Sequence, residues 1–432
     1  MACDRAGAGS PRGIARARGA FGSGMPRPRS APARLALPFA LALSVVGLAG
    51  CHLWKASPPP EPARTADRAL EELRPDDFPA FEDDLGYARL EEALGRSEEA
   101  LRRVAASDPG RTFAFGRERV PLARLRATLA RFRALVAARP TPEALREALR
   151  REFRVFRSTG DGTGRVLFTG YYLPELRGSL VRLGPYQVPL HRAPDDLVTV
   201  RVRDFPQAVS EELVGRVVDG RLVPYPTRAD VAAGALAGGG AELLWVDSAL
   251  DAFFLEIQGS GIVRLPDGTS RVVTFAGKNG HRYAAVGAEL VRRGAVAREQ
   301  VSMQTIRAWL LANPGEQERV LATNPSYVFF RFADAAIGSL GVPVTADRTI
   351  AADARVFPKG GLAFLESERP ADTSDPEAAP LRPFSRFVLD QDAGGAIRTS
   401  ARVDVFFGSG AYAAAAAGRM KQPGRLHYLL LR

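Results

Sequence analysis

Three carboxyl side chains fall within fifteen residues near the C-terminal end of this 432-residue chain: Asp390, Asp392 and Asp404. Gly394 and Gly395 follow the second, and Val403, Val405, Phe406 and Phe407 surround the third. Paired glycines let a backbone turn tightly or approach a ligand without a Cβ in the way. Asp404, set in an apolar run, is expected to be partly desolvated, a placement that suits a proton donor. The same pattern also fits two surface turns rich in Asp and Gly. The remaining motifs decide between these readings.

Several segments offer polar groups among glycines. Residues 168–172 put Gly170 ahead of Tyr171 and Tyr172, whose rings suit stacking on sugars. Residues 256–261 place Gln258 and Ser260 beside Gly259 and Gly261, a short polar cradle for a neutral ligand. Residues 277–283 add Asn279 in a second Gly-flanked loop. Core tyrosines and simple turns are the competing explanations for each.

Metal and thiol chemistry find little support. The four histidines, His52, His191, His281 and His427, are far apart, and the two cysteines are Cys3 and Cys51. Neither a metal nor a cofactor is expected. The formal charge is +11, but removing residues 1–50 leaves 52 basic and 47 acidic groups, a net +5. That excess suits an anionic polymer or membrane face and does not argue for nucleic acid.

The elements that must position these residues follow from periodicity. Arg27, Arg29 and Arg34 precede an apolar run at 35–48 that ends in Leu48-Ala49-Gly50-Cys51. It is too short to span a bilayer comfortably and reads as a signal-peptide core, with Met25 a plausible start. Leu-Ala-Gly-Cys resembles a bacterial lipobox, so Cys51 is the expected lipidation site. His52 after it fits sorting to the outer membrane, facing the periplasm. Residues 51–66 read as a Pro-rich tether. Three amphipathic helical patterns follow, marked by Leu90 to Val104, Leu122 to Val136, and Leu145 to Phe153, the last capped by Thr141 with Pro142 at its first position. From about 165 the chain reads mostly as strands, including 252–257, with helices resuming at 284–293 and 302–312. Residues 366–383 read as an exposed loop.

Together these segments closely resemble the membrane-bound lytic murein transglycosylase A family. The matching pieces run in order at 168–172, 186–190, 194–197, 245–247, 253–261, 277–283, 302–304, 324–331, 341–343, 392–410 and 417–426. The resemblance implies a mainly β fold with flanking helices: a double-psi β-barrel domain, an inserted smaller β-rich domain, and a substrate groove between them. It places the helical part of the barrel domain at 67–171, the insert at 172–325, and the C-terminal, three-aspartate part of the barrel at 326–432. It implies cleavage of the MurNAc–GlcNAc β-1,4 bond of peptidoglycan without water, leaving 1,6-anhydromuramyl ends. Asp404 aligns with the catalytic Asp of the family and Asp392 with its supporting Asp. Tyr171, Tyr172, Gln258, Ser260, Gly261 and Asn279 are the expected substrate contacts. Peptidoglycan glycan strands and the outer membrane are the expected partners, with other cell-wall enzymes open. The chain departs from the family at Leu173, where Glu is usual, and at Thr399, where Gly is usual. A non-catalytic wall-binding protein on the same fold is the alternative function; an aspartic-type peptidase lacks its paired signature.

Cys51→Ser is expected to leave the precursor unlipidated and unanchored. Wild-type protein that stays in the aqueous phase on detergent partitioning overturns the lipid-anchor expectation.

Overall fold

The structure is a computed structural model that describes residues 61–202, 212–373, 375 and 378–432. The expected leader and Cys51 lie outside the described residues. The tether is shorter than expected at its far end: the Ala63 backbone exchanges bonds with Ser400, at 2.9 Å to its hydroxyl and 2.9 Å from its amide.

Six strands close into a barrel. They are β1 (Val166–Leu173), β2 (Thr349–Ala351), β3 (Leu362–Pro370), β4 (Leu381–Asp392), β5 (Arg402–Ser409) and β6 (Lys421–Leu431). The order around the barrel is β6-β1-β5-β2-β4-β3, and β3 pairs back to β6. The β1/β5 and β2/β4 pairings are parallel and the others antiparallel. Closure removes the exposed edges. Strand Phe153–Ser158 continues the sheet beyond β6, and Leu70–Glu72 continues it further.

The expected helices Leu90–Ser107, Leu122–Ala137 and Pro142–Glu152 form and pack their apolar faces on the barrel. Thr141 caps the third, accepting from the Ala144 amide at 3.2 Å. Phe387 of β4 lies at the centre of this core. Its ring meets Phe132 at 4.7 Å, Phe364 at 4.9 Å and Phe81 at 5.8 Å. Such aromatic clusters add specific edge and offset contacts to ordinary burial.

The insert leaves the barrel at Pro174. Its six-stranded sheet runs Val328–Ala333, Ser270–Lys278, Ser260–Arg264, Glu175–Ser179, Glu242–Val246, Val188–His191. It has its own apolar core, including Leu176, Leu244, Val263 and Phe330. Sheet membership therefore moves the expected boundaries. Tyr172 and Leu173 still belong to a barrel strand, with Leu173 opposite Ser409. Residues 328–333 pair with the insert strand 270–278, so the chain returns to the barrel after Ala333 rather than at 326.

Two local expectations change, and one further helix appears. Residues 252–257 are part of a helix, Ala249–Gln258, not a strand. Ser248 caps its start, accepting from the Asp251 amide at 3.1 Å, and Gly259 ends it at φ +77°. A short apolar run fits either element, and here the caps decide. Residues 366–370 and 381–383 belong to the arms of the β3–β4 hairpin, which pair from Glu366↔Ser385 to Pro370↔Leu381, so the expected loop is shorter at both ends. The alanine-rich stretch Ala411–Arg419 forms a further helix, as that composition favours.

A buried ion pair ties the N-terminal segment to the barrel. Arg348 is fully buried and donates to Asp83 at 2.6 and 2.9 Å, and to the Ala88 and Phe387 carbonyls at 2.8 Å each. Burial pushes the Asp83 carboxyl up, but the Arg348 hydrogen bonds and charge, with the Phe387 and Tyr87 amides, outweigh it and hold it below the ordinary range. A depressed carboxyl contributes stability above its unfolded value, near 4, and loses it as pH falls through its folded value. Asp83→Asn is expected to cost about 3–5 kcal/mol, because it strands a buried guanidinium. It should also flatten the decline in stability below about pH 4. Urea titrations from pH 3 to 7 check both; equal stability across that range for wild type overturns the linkage.

Candidate active site

The register of four barrel strands builds one row of side chains. Ala351, the last residue of β2, stands opposite Asp392 of β4 on one side and Asp404 of β5 on the other. Asp404 in turn stands opposite Thr169 of β1. Residues in register share a face of the sheet. The row Asp392, Ala351, Asp404, Thr169 therefore crosses four strands. At about 4.8 Å per strand, the two aspartate backbones lie about 10 Å apart, with Ala351 of β2 between them in register.

Asp404 is not enclosed by the apolar residues beside it in sequence. Strand alternation sends Val403 and Val405 into the core, fully buried, and leaves Asp404 half-buried on the opposite face with Arg402. Arg402 grips its carboxylate with two donors, Nε to Oδ1 at 2.9 Å and Nη2 to Oδ2 at 3.1 Å. The Thr169 hydroxyl donates a short bond to Oδ1. Gly394 lies next to the other oxygen: a Cβ there would sit 3.9 Å from Oδ2.

Asp392 is held entirely by donors. The Ser339 and Ala393 amides reach Oδ1 at 2.8 Å each, and the Tyr171 hydroxyl reaches Oδ2 at 3.0 Å. Burial pushes this carboxyl above the ordinary range, opposed by those amides, by Tyr171 and by the charge of Lys359. Tyr171 also packs its ring on Phe406, 5.0 Å away. Burial and the neighbouring Asp392 raise the Tyr171 phenol well above its usual value, which keeps it a donor. The third aspartate, Asp390, is fully buried and structural. It takes the Lys359 ammonium and the Tyr428 hydroxyl, the latter at 2.9 Å. Lys359 also donates to the Asp392 carbonyl and, at 3.0 Å, to that of Ala352.

The two lobes meet above this row. The Tyr172 amide donates to Gln258 Oε1 at 3.2 Å, and among the described residues Gln258 Nε2 faces only the Met303 sulfur, at 3.4 Å. A thioether is a weak acceptor, so that amide group retains donor capacity. Helix Met303–Ala312 of the insert lays Gln304 on Gly418 of the barrel. A Cβ on Gly418 would fall 1.6 Å from Gln304 Nε2, so the Gln304 side chain would have to shift for any larger residue.

Three expected contacts have other work. Ser260 is buried and shares a 2.8 Å bond with Thr274. Gly261 allows close packing, since a Cβ would meet Leu255 at 2.5 Å and the Pro174 carbonyl at 2.9 Å. Asn279 is buried and its amide is fully engaged: it donates to the Pro226 and Pro325 carbonyls at 2.8 and 2.9 Å and accepts from the Tyr327 amide at 2.9 Å. Beside it, Arg228 and Glu256 form a buried bidentate pair at 2.6 and 2.8 Å. The motifs at 256–261, 277–283 and 324–331 thus contribute mainly to a polar scaffold inside the insert. Sequence reasoning passed over Thr169, Lys359 and Ser339. Arg402 was detectable, because residues two apart on a strand share a face.

Asn279→Ala is expected to destabilise the fold by about 1–3 kcal/mol or more, because it leaves buried backbone groups unpaired. Glycan affinity of the folded protein should be unchanged. Thermal unfolding and oligosaccharide titration together check this; lost affinity at full stability would return Asn279 to the binding surface.

Comparison with known proteins gives a consistent picture. A profile described as MltA specific insert domain matches residues 167–331, and one described as 3D domain matches residues 348–430. The chain is 33% identical over 271 residues to membrane-bound lytic murein transglycosylase A of Vibrio cholerae, covering 62% of this chain and 66% of that one. It is 33% identical over 274 residues to the Escherichia coli K12 protein of the same name, covering 62% and 67%. The aligned part thus spans about two thirds of the length of these relatives. Among solved structures, a membrane-bound lytic murein transglycosylase from Agrobacterium tumefaciens superposes with a TM-score of 0.69 at 30% identity, covering 84% of this chain and 98% of that one. E. coli MltA with bound chitohexaose superposes with a TM-score of 0.57 at 26% identity, covering 78% and 89%.

Proposed function

The chain belongs to the membrane-bound lytic murein transglycosylase A family, and we propose that Asp404 is the single acid and base with which it cleaves the MurNAc–GlcNAc β-1,4 bond of peptidoglycan. The observation that carries this reading is the bonding of Asp404: a half-buried carboxyl with one oxygen fixed by Thr169 and the other held only by a displaceable arginine. The chitohexaose bound in the E. coli relative supports a groove that accepts β-1,4 glycans.

In this mechanism glycan entry lifts Arg402 from Asp404, and the carboxyl enters the reaction protonated on Oδ2. It gives that proton to the glycosidic oxygen, the C1–O bond breaks, and the GlcNAc side leaves with a free hydroxyl. The C6 hydroxyl of the muramyl residue closes on C1 and returns its proton to Asp404. No water is consumed, and the sugar ends as a 1,6-anhydro ring. Hydrolytic glycosidases need a second carboxyl as nucleophile or base. Here the nucleophile is tethered to the reacting sugar, so effective molarity takes the place of a positioned water. Asp392, two strands away and committed to three donors, is a supporting charge. It orients Tyr171 toward the row and favours positive charge developing at C1.

Tyr171, Tyr172 and the free donor of Gln258 are the proposed glycan contacts. For location, the Leu48-Ala49-Gly50-Cys51 motif supports lipidation at Cys51 and an outer-membrane anchor facing the periplasm.

Asp404→Asn keeps size and hydrogen bonding but cannot supply the proton. Release of anhydromuropeptides from purified murein should fall by about 10²–10⁴ or more, with glycan binding retained. Asp392→Asn should be milder. Mass analysis of digests separates the outcomes. A folded Asp404→Asn protein with near wild-type output overturns the assignment. A dead Asp392→Asn beside an active Asp404→Asn exchanges the two roles. Absence of anhydro products from wild type, with glycan binding intact, favours a binding protein.

A further inference from the structure

We propose that Arg96 and Arg103, on the N-terminal helix Leu90–Ser107, are positioning residues for the reaction: they clamp the loop at 336–345 whose backbone holds Asp392. This helix lies outside both matched profile regions, 167–331 and 348–430.

The two arginines are seven residues apart, which puts them on one helix face two turns apart. Arg96 Nη1 donates to the Val344 carbonyl at 2.9 Å and to Thr345 Oγ1 at 2.7 Å. Arg103 Nη2 donates to the Gly341 carbonyl at 2.8 Å. Hydrogen bonds from charged donors are stronger than neutral ones. Between these points the loop makes a tight turn, with the Gly341 amide on the Gly338 carbonyl at 2.8 Å and the Gly338 amide on the Val342 carbonyl at 2.9 Å. The turn is pressed against β4. A Cβ on Gly338 would fall 2.7 Å from the Gln391 carbonyl, so glycine is required there. In that position the Leu340 amide reaches the Gln391 carbonyl at 3.0 Å, and the Ser339 amide reaches Asp392 Oδ1 at 2.8 Å.

The same helix also holds the strand. Buried Gln391 donates to the Ala93 carbonyl at 2.8 Å and to Ser97 Oγ at 3.0 Å. One helix therefore sets both the carboxyl and the amide that meets it. Asp392 otherwise faces Tyr171 from β1, Asp390 on its own strand and Ala393 just beyond it, Lys359 from the loop after β2, and Asp404 with Arg402 from β5. Releasing the Ser339 amide removes a donor to the carboxylate and leaves the others. Asp392 should then titrate at higher pH.

The inference rests on the supporting role given to Asp392, so the test has arms that do not depend on it. The variants are Arg96→Ala/Arg103→Ala, Arg103→Ala alone in case the pair fails to fold, and Arg96→Lys/Arg103→Lys. The control is Arg133→Ala, which loses bonds to Glu98 and Glu91 of the same helix at 3.0 and 3.1 Å but touches no part of the loop. Melting temperature, kcat and KM on soluble glycan strands, and the carbon-13 carboxyl titration of Asp392 are measured for each. The expected result is a kcat loss of up to about 100-fold with little change in KM, and an upward move of the Asp392 midpoint. The lysine pair should recover part of both, and Arg133→Ala should lower only the melting temperature. An unmoved Asp392 midpoint overturns the clamp. A moved midpoint with an unchanged rate overturns the catalytic part and locates the failure in the role given to Asp392.

Discussion

The short strand β2 governs the site, and buried Arg348 governs β2. Only three residues long, Thr349–Ala351 runs parallel to β4 and antiparallel to β5. So few ladder bonds leave its register weakly determined by pairing alone. Side chains and flanking backbone supply the rest. Arg348, immediately before it, is bonded to Asp83 and to two carbonyls, and its own carbonyl accepts from the Leu389 amide at 2.7 Å. Thr349 donates to Gln391 at 2.6 Å. A one-residue slip would turn Ala351 away and put a different side chain between the aspartates. The buried pair's Coulomb attraction is largely offset by desolvation. Its clearer consequence here is register, and through register the spacing of Asp392 and Asp404.

What was legible in the sequence follows from the range of the interactions involved. The three N-terminal helices could be read because their apolar stripes and the Thr141 cap are local. The aspartates stood out because Asp and Gly in an apolar setting are unusual. The surroundings of Asp404 were misread because neighbours in sequence were taken as neighbours in space. On a strand, residues 403 and 405 face away, and the true neighbours are Arg402 and Thr169. Arg402 follows from alternation alone. Thr169 follows only from the parallel β1/β5 register, across 235 positions of chain. Lys359 and Ser339 are equally non-local.

The insert shows the opposite error. Its Gly- and Asn-rich motifs have the composition of ligand loops, yet Asn279 and Ser260 spend their hydrogen bonds inside the protein. Loops that stay close to a core must satisfy backbone groups that strands and helices satisfy internally. Asn is suited to that, because its amide mimics a peptide and bonds in both directions. Polar residues between glycines therefore mark a backbone that needs partners as often as a ligand that does. Gln258 differs in one respect that composition does not reveal: among the described residues its Nε2 meets only a sulfur atom.

The proposed one-carboxyl mechanism makes a particular demand on Asp404. The group must be neutral before and after the reaction, and anionic only while O6 closes on C1. Its two oxygens should therefore be unequal, one anchored throughout and one free to exchange a proton. The structure has that asymmetry. Oδ1 is bonded by Thr169 from a neighbouring strand and by Arg402 Nε, whereas Oδ2 is bonded only by Arg402 Nη2 and lies beside Gly394. Arg402 is more than one-third exposed, so its Nη2 can leave Oδ2, while its Nε also donates to the Thr169 hydroxyl at 3.3 Å. An arginine on the same strand then stays close enough to stabilise the transient carboxylate. The parallel pairing of β1 with β5 supplies that anchor from a neighbouring strand.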